Sequence, residues 1–404
     1  MTAQSITVDI AIVGGGIAGL WLLNRLCNAG YHAVLFEQTE LGGMQTIASQ
    51  GMIHGGIKYA LAGSLTGASE AIADMPDLWR RCLKGQGDVD LSNAKVLSDH
   101  FYMWSSQSIT SKVTSFFASK ITRGRVENVS KADRPPVFQD SAFKGSLYKL
   151  VDLVLDVPSV VTTLANNMRG RVLKIDWQHS QFNRDSKGNV ESLLASDGEH
   201  SVNIKAQRFV FTAGEGNEQL CQALDIKQPV MQRRPLKQVL VKHNFPHPIY
   251  AHCMGSNPSP RLTVSSHHTE DGNTVWYLGG DLATDGHTMT DEALIAKAKI
   301  ELADLFPWLD FSDSEWVTLY IDRAEPKQKG LIKPDKAFAA NAGNCNNVIV
   351  GWPTKLTLAP NMADEIIALL DGDHIKPQAD QSQLPALNCP QVASPCWETL
   401  FAKA

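Results

Sequence analysis

The chain has 404 residues, 43% apolar and 20% charged, enough apolar material for more than one core and unlike a disordered or coiled-coil protein. With 37 basic against 42 acidic residues the net charge is −5 and no long basic run occurs, so no nucleic-acid partner is expected. Seven scattered cysteines form no CxxC pair, which signals neither zinc (no metal site is expected) nor a disulfide framework and fits a cytoplasmic setting.

The longest apolar run, 10–23, is too short to span a bilayer and has no cationic lead-in. No transmembrane segment is expected; peripheral contact with a membrane surface is left open. Residues 8–13, VDIAIV, read as a buried strand, the glycines from Gly14 as a turn, and Leu20 to Leu26 as an apolar-periodic helix. A second strand, 32–36, ends at Glu37. This βαβ unit implies a parallel sheet with helices on both faces.

Residues 52–84 read as a glycine-punctuated loop leading into a helix over 69–83, and 95–150 as a mixed region. A helix follows Pro158 and ends near Gly170; strands are expected at 171–175 and 209–211, with a polar hairpin turning at 185–188 between them. From 229 to 325 the pattern is strand-like, with one helix over 291–305. A last buried strand, 347–351, precedes a helix over 361–370 and a tail rich in proline and glutamine.

Gly14, Gly16 and Gly19 have the GxGxxG spacing: the first allows the tight turn, the second lets a pyrophosphate approach the backbone, and the third lets helix and strand pack closely. The amides at Ile17 and Ala18 then receive the phosphates, and Glu37, with Gln38 and Gly43 nearby, closes on the ribose. The strands that complete this sheet lie far along the chain, around Val172 and Leu173, 209–211 and 348–350. A fingerprint at the N-terminus of so discontinuous a domain points to FAD.

Three further segments carry a family resemblance. Ser49-Gln50-Gly51-Met52-Ile53-His54-Gly55-Gly56-Ile57-Lys58-Tyr59, Thr212-Ala213-Gly214 after a buried strand, and Lys355-Leu356-Thr357 after Gly351 resemble motifs of FAD-dependent oxidoreductases of the D-amino-acid-oxidase superfamily. Within it the chain is most similar to the branch of flavin-linked glycerol-3-phosphate and L-2-hydroxyglutarate dehydrogenases. Two departures stand out: Lys58 where the glycerol-3-phosphate enzymes carry Arg, and Pro353-Thr354 in place of Gly-Gly.

The resemblance implies a mixed α/β fold: a discontinuous Rossmann-like FAD domain (1–84, 150–228 and 340–375), an antiparallel-sheet substrate domain (85–149 and 229–339), and a tail over 376–404. It implies oxidation of a small anionic hydroxy compound, a 2-hydroxy acid or polyol phosphate, by hydride transfer to flavin N5. Oxygen, a quinone or a carrier would take the electrons onward. His54 is the candidate base, Arg323 the anion anchor, Lys355 the charge beside the flavin, and Lys58 and Tyr59 the rest of an anion pocket. For Arg323 the structural alternative is a salt bridge to Asp322 or Glu325. An amine or amino-acid oxidase is the alternative activity, and a non-catalytic flavin-bound accessory, docking a partner through Trp397, the third reading. His267 and His268, adjacent on a strand, point to opposite faces and cannot readily chelate one ion.

Overall fold

In β1 (Gln4–Val13) neighbouring side chains feed two different cores, which explains why the sequence there does not alternate. Ile10 and Ile12 pack on one face with α1 (Ile17–Asn28), whereas Ala11 and Val13 pack on the other. The protein is described by a computed structural model covering residues 4–56, 72–105, 126–257, 259–329, 334, 336–378 and 384–403.

β1 is flanked by two parallel partners, β2 (Ala33–Glu37) and β12 (Ser201–Phe211). Beyond β2 lies the short β9 (Val172–Lys174). β12 is long enough to serve two neighbours on one edge. Its first half pairs antiparallel with β11 (Val190–Ser196), which continues to β10 (Gln181–Arg184); its last three residues pair parallel with β19 (Cys345–Trp352), edged by β18 (Phe338–Ala342). On one face sit α1, α3 (Val157–Asn167) and α7 (Ala359–Gly372); α4 (Asn217–Ala223) lies on the other. Val89 and Leu91, which the sequence reading assigned to the substrate portion, belong to the core of α1 and α7.

A second mixed sheet has the order β17 (Glu315–Pro326), β13 (Met231–His243), β16 (Thr274–Gly279), β15 (Pro260–His268), β14 (Tyr250–Met254), β5 (Phe101–Ser105), β7 (Ser146–Leu150) and β6 (Val126–Asn128). All its pairs are antiparallel except β14 with β5. α5 (Asp281–Gly286) and α6 (Asp291–Leu305) cover one face, where Leu294, Ala298 and Leu302 meet Val239, Val241, Trp276 and Leu278. The opposite face carries Leu240, Tyr277 and Val317, and it receives Trp397 of α8 (Cys396–Phe401), a helix the proline-rich tail did not lead us to expect. A small sheet of β3 (Met52–Ile53), β8 (Leu153–Leu155) and β4 (Val96–Ser98) completes the fold, with α2 (Met75–Leu83) beside it. Of the helix expected over 69–83, residues 69–71 lie outside the described part. No described helix is long and apolar enough to cross a membrane.

Candidate active site

The turn from β1 into α1 uses its glycines for separate purposes. Gly14 has φ +116°, and a Cβ there would sit 2.5 Å from the Ala213 backbone. A Cβ on Gly19 would sit 2.0 Å from the Gly14 carbonyl oxygen and 2.7 Å from Thr212 Oγ1. At Gly16 it would meet only Thr46 Oγ1, at 3.1 Å, so a cradle opens there above the start of α1. Thr46 Oγ1 also accepts from the Ile17 amide at 3.1 Å, and no residue of the turn itself caps the helix. Amides and dipole at this helix start suit a pyrophosphate.

Glu37 stands beside the turn at the end of β2. Its Oε2 accepts from the Gly15 amide at 2.7 Å, and its Oε1 from the Thr39 amide at 2.9 Å and Oγ1 at 3.2 Å. The lone pairs left over are acceptors for ribose hydroxyls. Gln38 is exposed and Gly43 partly so. Thr212 closes the opposite side, its hydroxyl donating to the Gly14 carbonyl at 3.0 Å; the Ala213 amide is held by Asn217 Oδ1, and Trp352 Nε1 donates to the Gly214 carbonyl. A buried Ser49 hydroxyl without a hydrogen-bond partner among the described residues marks where a polar ligand group belongs. These groups fit FAD.

The segment from Ser49 to His54 is shaped by Gly51 (φ +70°), where a Cβ would lie 2.0 Å from the Leu155 carbonyl oxygen. Thr357 joins this segment to the chain after β19. Its hydroxyl accepts from the His54 amide at 3.3 Å and donates to the Met52 carbonyl at 3.2 Å, while its own carbonyl accepts from Trp79 Nε1 at 3.1 Å. Asp152 Oδ1 takes the Gly55 amide at 2.9 Å. His54 is thus buried in a braced loop. Beside Leu356, Lys355 reaches the Pro334 carbonyl with its ammonium at 3.4 Å. Lys58 and Tyr59 lie outside the described residues.

Arg323 is on the face of β17 shared by Val317 and Glu325, by the period of a strand. Its partners are neither of the carboxylates considered from sequence. Nε donates to the Arg234 carbonyl and Nη2 to the Pro235 carbonyl, both at 3.1 Å, across the β13–β17 register. Glu325, 1% exposed, instead grips Arg234 through two bonds of 2.7 and 3.1 Å. Burial first, and the Arg234 guanidinium second, push Arg323 down to about 10, so it remains a cation at neutral pH. Arg233 pairs at the surface with Glu218.

The structure therefore brings together Gly14, Gly16, Gly19, Glu37, Thr212 and Ala213 at one end, and Ser49 to His54 with Thr357 at the other. Val172 and Leu173 are core residues of the edge strand, and the bare Cα of Gly351 makes room for Met362, whose sulfur would lie 3.3 Å from a Cβ there. Thr46, Gly42 and Asp152 escaped the sequence reading, which considered Glu325 only as a partner for Arg323 and Arg234 as a substrate contact or a solvated residue. Gly42 alone gave a local sign, being a glycine at φ +73° whose amide bonds the Gly15 carbonyl. Trp397, read as a partner-docking residue, is buried against this chain's own second sheet.

Residues 9–359 match the model of the DAO family, the FAD-dependent oxidoreductases. The probable FAD-dependent oxidoreductase PA4991 of Pseudomonas aeruginosa is 49% identical over 400 residues, spanning 99% of this chain and 100% of that protein. Its crystal structure superposes with a TM-score of 0.85 at 44% identity, over 99% of both chains. At 14% identity, glycine oxidase from Geobacillus kaustophilus (TM-score 0.62, 95% of this chain and 99% of that one) shares the fold. So does the FAD-bound L-α-glycerophosphate oxidase from Mycoplasma pneumoniae (TM-score 0.63, 91% and 95%). The chain belongs to the DAO family of FAD-dependent oxidoreductases, and FAD is its cofactor.

Proposed function

We propose that the protein oxidises a small 2-hydroxy acid whose carboxylate is held by Arg323. One observation carries the reading: two arginines face the same half-buried patch with one carboxylate between them. Among the described residues, Glu325 neutralises Arg234 and Arg323 is bonded only to backbone carbonyls, which leaves one positive charge. A buried cation of this kind calls for an anion. One charge suits a carboxylate better than a dianionic phosphate, which sets the polyol-phosphate alternative aside. With Nε and one Nη2 proton committed, the guanidinium offers its Nη1–Nη2 edge, a geometry that fits the two oxygens of a carboxylate.

His54 takes the hydroxyl proton in this reading, and Lys355 supplies positive charge at the same end of the site. Gly16 and the start of α1 hold the pyrophosphate, and Glu37 the ribose. Bound FAD supplies the acceptor for the substrate's hydride. The two distant structures carry the names of an amine-side and a hydroxyl-side oxidase, so fold alone does not choose between donors.

The test is anaerobic mixing of the flavin-loaded protein with 2-hydroxy acids, glycerol 3-phosphate, and primary and N-methylated amino acids. Bleaching of the yellow flavin by a hydroxy acid is the expected result. Arg323→Ala should then retain FAD and require about 100-fold more substrate, the worth of a charge-assisted bond pair. Bleaching by amino acids alone would move the protein to the amine oxidases, and by glycerol 3-phosphate alone would overturn the charge argument. Bleaching by none of them would favour an accessory role.

A further inference from the structure

The histidine pair of β15 divides as adjacent strand residues must: His268 is exposed and His267 is 2% exposed. His267 stacks on Trp397 of α8, centroids 4.6 Å apart and planes 31° from parallel. Burial, helped by His268, lowers its pKa to about 3, so it stays neutral at neutral pH and is no acid–base catalyst there. Its Nε2 lies 3.1 Å from Ser265 Oγ. Ser265 Oγ in turn accepts from Gln50 Nε2 at 3.2 Å, and Gln50 gives its other amide proton to the Tyr277 carbonyl at 2.9 Å. After accepting from Gln50 the serine hydroxyl still has a proton and a lone pair, so it bonds Nε2 in either tautomer of the ring. Gly279 completes the seat, since a Cβ there would sit 2.7 Å from Gln50 Oε1.

Two further pegs hold the same stretch of chain. Tyr277 OH donates to the Ala48 carbonyl at 3.1 Å, and Cys396 Sγ, 3.2 Å from that hydroxyl, reaches the Ile47 carbonyl at 3.8 Å. Ile47, Ala48 and Gln50 are thereby fastened to β15, β16 and the C-terminal helix, at the start of the segment assigned to the flavin.

We propose that His267 is a positioning residue for the flavin: as a hydrogen-bond partner sealed beneath Trp397, it orders Ser265 and, through it, Gln50, and so fixes the 49–54 segment on which the ring rests. This rests on the reading that this segment meets the flavin.

His267→Phe keeps a ring to stack on Trp397 and removes the hydrogen bond to Ser265; His267→Gln restores a polar group near the Nε2 position. Gln50→Ala and Ser265→Ala remove the other links. Each purified variant is titrated with FAD, and the visible absorption of the bound flavin is recorded with the thermal midpoint of the apoprotein. His267→Phe, Ser265→Ala and Gln50→Ala should each weaken FAD binding roughly threefold to tenfold and shift the flavin band, with His267→Gln recovering most of both. If Gln50→Ala changes binding and band but His267→Phe and Ser265→Ala do not, the relay is wrong and the flavin assignment stands. If none of the three changes them, the flavin assignment of the segment fails as well. A lowered apoprotein midpoint with unchanged flavin binding and band would make His267 structural only. Should His267→Phe fail to fold, Ser265→Ala decides the same question.

Discussion

In the reading proposed above, the two sheets meet the cofactor and substrate with different materials. The nucleotide half makes its site from backbone: glycines, helix-start amides, and one acidic side chain at a strand end. The second sheet makes its site from side chains arrayed on one face, with Arg234, Arg323 and Glu325 on two strands and Ser265, His267 and Tyr277 on two others. Backbone sites tolerate almost no added atoms, whereas side-chain sites depend on charges being matched. Their failures should differ accordingly.

The sharpest contrast lies within the glycine turn. Gly19→Val would drive a branched side chain into the Gly14 carbonyl, 2.0 Å from where the Cβ falls, and should cost more than about 4 kcal/mol. Little soluble protein is expected. At Gly16 the only neighbour is Thr46 Oγ1 at 3.1 Å, so Gly16→Val should fold and lose FAD, because its side chain fills the cradle. Denaturant unfolding and flavin content separate the two. A Gly16→Val protein with normal flavin would break the assignment of the turn.

The same contrast governs what could be read in advance. The positions of Gly14, Gly16, Gly19 and Glu37 are set within a βαβ unit, where spacing along the chain fixes spacing in three dimensions. Arg234 and Glu325 are 91 residues apart and meet only because β13 and β17 pair over twelve positions, a register no local pattern announces. Arg323 was legible as a cation within a strand, but its carbonyl partners were not. Thr46 looks like any loop threonine until the fold brings it under the Ile17 amide. α8 is six residues in a proline-rich tail, too short for periodicity to show that Trp397 turns inward.

In the side-chain half, Glu325→Ala is the severest test. It strands the Arg234 guanidinium beside Arg323 without a counter-charge and should cost about 3 kcal/mol, since breaking a buried pair leaves an uncompensated charge. Adding Arg234→Leu should recover much of that loss. A single variant as stable as the parent would show that the pair does not set the charge count from which the carboxylate is inferred.

Acid should weaken the second sheet through its buried histidines. His243, pushed down to about 4 by burial, and His267, at about 3, are neutral when folded and take up protons near 6.5 when unfolded. Between those values the unfolded chain binds more protons, so stability falls as pH falls below about 6.5. From pH 7.5 to 5.5 each should cost about 1.4 kcal/mol, about 3 kcal/mol together. His267→Phe should flatten the curve by half over that range, and an unchanged slope would mean that the ring titrates freely.

The smallest expected effect concerns the seam where the C-terminal chain crosses the nucleotide sheet. The Lys174 amide donates to the Asn388 carbonyl at 2.6 Å, and the Asn388 amide to Asp197 Oδ2 at 2.8 Å. Burial alone would raise the Asp197 carboxyl, but the amides of Asn388, His200 and Glu199 outweigh it and hold it near 2. Its contribution is therefore complete above the ordinary carboxyl value of 3.8 and is lost as pH falls towards 2. Asp197→Asn keeps the shape but turns one of the two acceptor oxygens into an NH2 group, so at least one of these amide bonds is lost, at a cost of about 1 kcal/mol. Because the chain after Asn388 leads through the Leu41–Val392 bridge to Cys396 and Trp397, amide exchange should quicken at Lys174 and Asn388 first. Faster exchange confined to β15 and β16 would show instead that the C-terminal helix is held by its own apolar contacts and not by this seam.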